Sequence, residues 1–337
     1  MRPRRARAAA APPAGSRARR ARAGTRRRPA PRPPAPRVQL ETVRRALYDP
    51  VVLLVGLVAA LVLAWPHDAL AWGPVTHLVH GSQVLDSLSI LGPALQEILG
   101  AHRLAYLYGC VAADIVQGKK YTRSLYTHCH CWPVGWQIAE AARGEREQAF
   151  AYGYLSHLAG DVYSHNHFVP VQMVVSYPSR TARHVYWEAR FDAAQARDRW
   201  RLMRTVFEHR YPDCDRLVEQ VVERTLFSFR TNKRIFSSVM AVQRLGQWQR
   251  LMRGLSARSR YPLPRGEVER FNSLCIRAVQ DLLARGRKSV CQHADPTGRE
   301  ALARADVLRR KLRALKRRGQ MTEAIAAELR ALAPAAA

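Results

Sequence analysis

Three histidines and one aspartate fall within eleven residues of the stretch 151–170, AYGYLSHLAGDVYSHNHFVP. The spacing predicts a helix with His157, Asp161 and His165 at i, i+4 and i+8, on one face. The rest of the stretch is rich in Tyr, Leu, Val, Phe and Ala, so that face is expected to be buried. Imidazoles and a carboxylate are costly to take out of water unless something satisfies them. A transition-metal ion does so, and neutral His with carboxylate are ligand types that zinc takes. A pair of core histidines hydrogen-bonded to an aspartate is the competing reading. It is the default for a lone His and weakens when four candidate ligands sit this close together.

The other histidines support a site. Of twelve, nine lie between His77 and His184, and only His209 and His293 lie beyond. Histidines that served only the core or the surface would scatter along the chain. Taken in order, the next candidate is Asp114, which ends the apolar run LYGCVAADI and is equally well read as a helix cap. The segment YTHCHCW supplies His128 and His130, of which one is expected to face a shared site. His184 and Glu188 stand at i and i+4, on one helix face beside Tyr186 and Trp187.

Composition sets the frame. The chain has 337 residues, 47% of them hydrophobic, with a formal charge of +29. Residues 1–71 hold 15 Arg, no Lys and three acids, hence +12, and the remainder carries 29 − 12 = +17. A basic surface suits anionic lipid headgroups, nucleic acid or acidic polymers. Six cysteines (Cys110, Cys129, Cys131, Cys214, Cys275, Cys291) match no zinc-ribbon spacing. Some could pair in an exported protein.

Residues 1–37 are almost all Arg, Ala and Pro and cannot build a core. Residues 51–64 are uncharged and apolar, short for a membrane span but suited to a signal-peptide core behind Arg44 and Arg45. The triplet Ala69-Leu70-Ala71 has the form of a cleavage site. The chain is therefore expected to be periplasmic or secreted, or membrane-anchored if the leader is kept. Cleavage after Ala71 would make Trp72 the first residue. Its free amine, which loses a proton more readily than lysine, would then be a nitrogen ligand five residues before His77. From Trp72 on, apolar residues recur at three and four with Pro and Gly at the breaks, so the fold class is all-α. The expected organisation is a leader over 1–71, an all-α domain over 72–290 and a basic helical tail over 291–337, the last read as solvated.

This ordered set resembles the zinc-dependent phospholipase C family and, more distantly, the S1/P1-type zinc nucleases. The resemblance covers roughly Trp72 to Asp192 by motif. It implies an all-α domain holding three zinc ions. Trp72, His77 and Asp161 would hold one. Asp114, His128 or His130, His157 and the bridging Asp161 would hold a second. His184, Glu188 and either His165 or His167 would hold the third. His167 keeps the spacing of the secreted bacterial phospholipases, whereas His165 keeps that of the glycosylphosphatidylinositol-cleaving branch and completes the helix face.

The implied activity is hydrolysis of a phosphodiester by metal-activated water, with Asp114 orienting the water or acting as its base. The implied substrate is a phospholipid at a membrane surface, acted on by a monomer with no specific nucleic-acid partner. A zinc nuclease and a non-catalytic metal-binding helical envelope protein are the alternatives. The sequence departs from the family in the short step from Trp72 to His77 and in lacking a C-terminal β-sandwich.

Overall fold

Helices begin where proline can stand without losing a hydrogen bond. In a computed structural model of the chain, proline occupies the first turn of α1 (Pro74–Asp86), α2 (Pro93–Ala101) and α4 (Trp132–Ala141). The structure describes residues 73–116, 128–181, 184–195, 197–222, 228–243, 250, 253–254 and 256–332. All of these belong to one unit spanning Leu53–Ala337. The described residues form helices and turns with no strand, as an all-α reading requires. The leader, its apolar run, the cleavage triplet and Trp72 lie outside them. No described helix is long and apolar enough to cross a membrane.

Two helices form the centre. In α3 (Arg103–Ile115) every residue from Ala105 onward is buried, and α5 (Glu145–Tyr163) is buried along most of Ala149–Val162. Helices apolar on all sides belong inside a fold. They meet at a pair of glycines. A Cβ on Gly109 would lie 2.0 Å from the Phe150 carbonyl oxygen, and one on Gly153 would lie 2.0 Å from that of Tyr106. Only glycine lets two backbones approach so closely. The contact precedes Asp114 on α3 and His157 on α5 by about one turn, so it sets their separation.

The expected continuous helix face does not run through His165. The α-helix ends at Tyr163, and Ser164–Phe168 is a π-helical turn leading into α6 (Val169–Val175). Such wide turns re-aim side chains and are frequent at functional sites. Here the turn buries His165 and leaves His167 exposed.

A second core forms beyond that turn. Phe168, Trp187, Phe191 and Phe271 pack there with Ala305 and Leu312. They come from α6 and its π turn, α7 (His184–Ala194), α11 (Arg265–Arg285) and α12 (Arg299–Arg317). The solvated-tail reading is therefore corrected. Helix α12 buries Ala305, Arg309 and Leu312, and Arg313 Nε donates to the Tyr177 carbonyl oxygen at 2.6 Å. Its basic run misled because a helix can be charged on one side and packed on the other.

The aromatic-basic stretch around Phe236 is amphipathic, as expected. Phe229, Phe236 and Met240 are buried, while Lys233 pairs with Asp215 at 2.7 Å. All six cysteines are buried and none forms a disulfide.

Candidate metal centre

Five side chains converge at the ends of α1, α3 and α5. His77 comes from α1, Asp114 from the last turn of α3, and His157 and Asp161 from α5. His130 enters from the turn before α4. All five are at most 1% exposed. His77 Nε2 lies 3.2 Å from Asp161 Oδ1. His157 Nε2 and His130 Nε2 lie 3.1 and 3.5 Å from Asp161 Oδ2. His130 Nε2 is 3.2 Å from Asp114 Oδ1 and 3.0 Å from His157 Nε2. Asp161 thus offers one oxygen to each side.

These separations suit an ion. Metal–ligand bonds of about 2.0–2.1 Å at a tetrahedral angle put neighbouring donor atoms about 3.3 Å apart. Both oxygens of Asp161 and both ring nitrogens of His77 are buried without a hydrogen bond. His157 is held by its other nitrogen, since Nδ1 donates to the Cys110 carbonyl oxygen at 2.9 Å. Neutral His157 then presents the Nε2 lone pair to a carboxylate oxygen and to a second imidazole. A cation or an added proton must lie between them. Burial would lower the His157 pKa, but the Asp161 and Asp114 charges outweigh it and raise it. Burial likewise pushes Asp161 up, yet the neighbouring His157 and His77 hold it well below the carboxylate range. Protons and metal therefore compete for the same donors.

A second group lies across the π turn. His165 and His184 approach Glu188 Oε1 with Nε2 at 3.5 and 2.5 Å. His165 Nδ1 donates to the Pro296 carbonyl oxygen at 2.6 Å, which again turns Nε2 toward the carboxylate. The approach to His165 needs Gly298. That residue has φ +55°, and a Cβ there would fall 2.3 Å from His165 Cβ. Burial raises the Glu188 carboxyl well above its usual range, against the pull of His165.

Between the two candidates of this pair, the structure brings His165 to the donors. His167 is exposed and joins none of the donor groups. His167→Ala is expected to leave metal content and activity within about twofold, as for most surface changes. His165→Ala is expected to lose bound metal. Equal losses by metal analysis would sink the distinction.

At the earlier pair, His130 is the one that belongs to the five-residue group. His128 stands behind it and accepts the His130 backbone N–H at Nδ1, 3.1 Å away. His128 also belongs to a buried triplet with Cys129 and His130 that is capable of holding an ion.

Four residues escaped the sequence reading. Cys110 and Pro296 act through backbone carbonyls, which leave no side-chain signature. His80, one turn beyond His77, was discoverable by the same spacing. Its Nε2 lies 3.0 Å from Asn272 Oδ1. Burial, aided by His77, pushes its pKa down to about 3 and keeps it neutral. The fourth is Asp192, which continues the face of α7 after His184 and Glu188. It accepts the backbone N–H of Val75 and Thr76 at 3.3 and 2.8 Å and the Thr76 hydroxyl at 2.6 Å. Helix α1 lacks a cap of its own, so an acid from α7 caps it and fixes His77.

Burial pushes the Asp192 carboxyl up to about 7 despite those bonds. A raised folded-state pKa means that the folded chain holds the extra proton between about pH 4 and 7. Its stabilising share is present below about pH 4 and is lost as pH rises through 7. In chelator, the stability of the native chain relative to Asp192→Asn is expected to fall by a few kcal/mol over that window. A difference independent of pH in denaturant titrations would refute this.

With this geometry in hand, comparison with known families is decisive. Residues 76–234 match the model of the zinc dependent phospholipase C family. Over that span the chain carries a zinc-dependent phospholipase C domain. No curated protein and no solved structure matches it. That domain is of the phosphodiesterase-type hydrolase class. The matched span contains all the converging donors from His77 to Glu188. The Pro296 and Gly298 clamp lies outside it.

Proposed function

We propose that the chain is an exported phospholipase C that hydrolyses the headgroup phosphodiester of glycerophospholipids, yielding diacylglycerol and a phosphorylated headgroup. The convergence of His77, His130 and His157 on the two oxygens of Asp161 carries this reading. Zinc at these donors would ease deprotonation of water near neutral pH and offset charge developing on the phosphate oxygens.

The chain's own residues supply the rest. Asp161 would be shared between two ions, since one of its oxygens faces His77 and the other faces His157 and His130. The Cys110 and Pro296 carbonyls lock His157 and His165 in the tautomer that leaves Nε2 as a donor. Asp114, beside His130, orients the attacking water or takes its proton. His165, His184 and Glu188 would hold a third ion. The Trp72 amine would complete the first if the leader is removed after Ala71.

Metal analysis of the exported chain, with assays on phosphatidylcholine and on single-stranded nucleic acid, tests the reading. About three zinc per chain and lipid hydrolysis are expected. Cleavage of nucleic acid alone would replace it with a nuclease, and one zinc or none would overturn the centre. N-terminal sequencing checks the Trp72 start.

A further inference from the structure

Among the described residues, the contacts that hold helix α12 gather on one side. Its inner face is held by buried Ala305, Arg309 and Leu312, and by the Arg309 and Arg313 guanidiniums donating to the Ser179 carbonyl oxygen. The outer face differs in kind. Val307 and Leu308 are each 42% exposed, among the few large apolar residues so open in the described chain. Helical spacing puts them in one stripe with Arg304, Lys311, Leu315 and Arg318, so bases alternate with apolar groups. The described part of the stripe contains one acid, Glu300, which pairs with Arg304 at 3.1 Å on the exposed surface. The helix as a whole has eight Arg and Lys against two acids.

The same helix starts at the metal centre. Pro296 and Gly298 hold His165, and Val307 follows Gly298 by nine residues, about 14 Å along the axis.

We propose that the outer face of α12 docks on an anionic lipid surface, with Val307 and Leu308 entering the headgroup region and Arg304, Lys311 and Arg318 meeting lipid phosphates and carboxylates. Charge and exposure together select this partner. An amphipathic helix with basic residues beside apolar ones lies in a membrane interface. Each base near such a surface favours binding by about fivefold. The choice of lipid rests on the phospholipase reading; the surface itself does not. Docking would present headgroups beside the element that ends at His165.

The native cysteines are all buried, so one introduced on the surface takes a thiol-reactive fluorophore selectively. The full-length Leu308→Cys chain, labelled with a polarity-sensitive dye, is mixed with vesicles of phosphatidylcholine alone or with about 30% phosphatidylserine, a fraction chosen to give a strong negative surface potential. A blue shift is expected only with the anionic vesicles. A label at exposed Glu97→Cys on α2 should not shift. Adding Lys311→Glu and Arg318→Glu should abolish the shift at position 308 while hydrolysis of a soluble monomeric phosphodiester persists.

No shift at 308, equal shifts at 308 and 97, or a shift with single-stranded nucleic acid but not vesicles overturns the proposal. The labelling involves no turnover. A shift without lipid hydrolysis would therefore count against the catalytic reading alone, and hydrolysis without a shift against docking alone.

Discussion

Asp161→Asn is expected to lose at least one bound zinc and to lower kcat/KM by about 10²-fold or more, the scale of losing one electrostatic stabiliser at a reacting centre. The substitution is nearly isosteric, so packing around a fully buried position is unchanged. What changes is charge and donor chemistry. Asn offers one carbonyl oxygen where Asp161 gives two, facing His77 at 3.2 Å and His157 at 3.1 Å. It also turns an amide donor toward ring nitrogens that have no use for one. In the metal-free chain the depressed Asp161 carboxyl contributes stability above about pH 4 that is lost on acidification, and Asn removes that dependence. Activity and zinc content both surviving the change would overturn the bridging assignment. Zinc surviving without activity would confine Asp161 to orienting the reaction.

Gly153→Ala, or Gly109→Ala, is expected to destabilise the fold by about 3 kcal/mol or more, at the upper end for overpacking. Each new methyl would meet a backbone carbonyl 2.0 Å away, so no side-chain rotation relieves it. The helices must part. As Asp114 and His157 sit about one turn further along these helices, separation also enlarges the donor cluster. Zinc affinity should therefore fall with stability, in contrast to a core truncation remote from the glycines. Thermal denaturation with and without chelator reads both. An unchanged midpoint for either variant would show that the helices have slack.

The central stretch was readable because a metal needs several donors of few types, and helical spacing assembles them. His157 and Asp161 behave as their i, i+4 spacing requires. Asp114 was ambiguous in sequence, as a carboxylate after an apolar run fits a cap equally well. It is resolved by the glycine contact that carries α3 against α5. His128 and His130 alternate in a short turn, and only tertiary structure selects between them.

The π turn was hidden, since its extra residue leaves no mark in hydrophobic periodicity. It moved His165 from the face of His157 to the company of His184 and Glu188. The role of α12 was hidden by composition. Its eight basic residues outweigh, in any average, the three buried positions that anchor it. The leader and Trp72 lie outside the described residues and remain expectations of the sequence.

The hold of Pro296 and Gly298 on His165 has a consequence for the order in which the protein is made. A ribosome delivers the N-terminus first, so every donor from His77 to Glu188 emerges more than a hundred residues before Pro296 and Gly298, which clamp His165. The five donors around Asp161 are all made by residue 161, but Asp192, which caps α1 and fixes His77, follows later. The group around Glu188 cannot be finished until residues 296–298 have been made. Synthesis thus builds in a delay: the centre acquires its final shape only after the segment that holds Pro296 and Gly298 has been made.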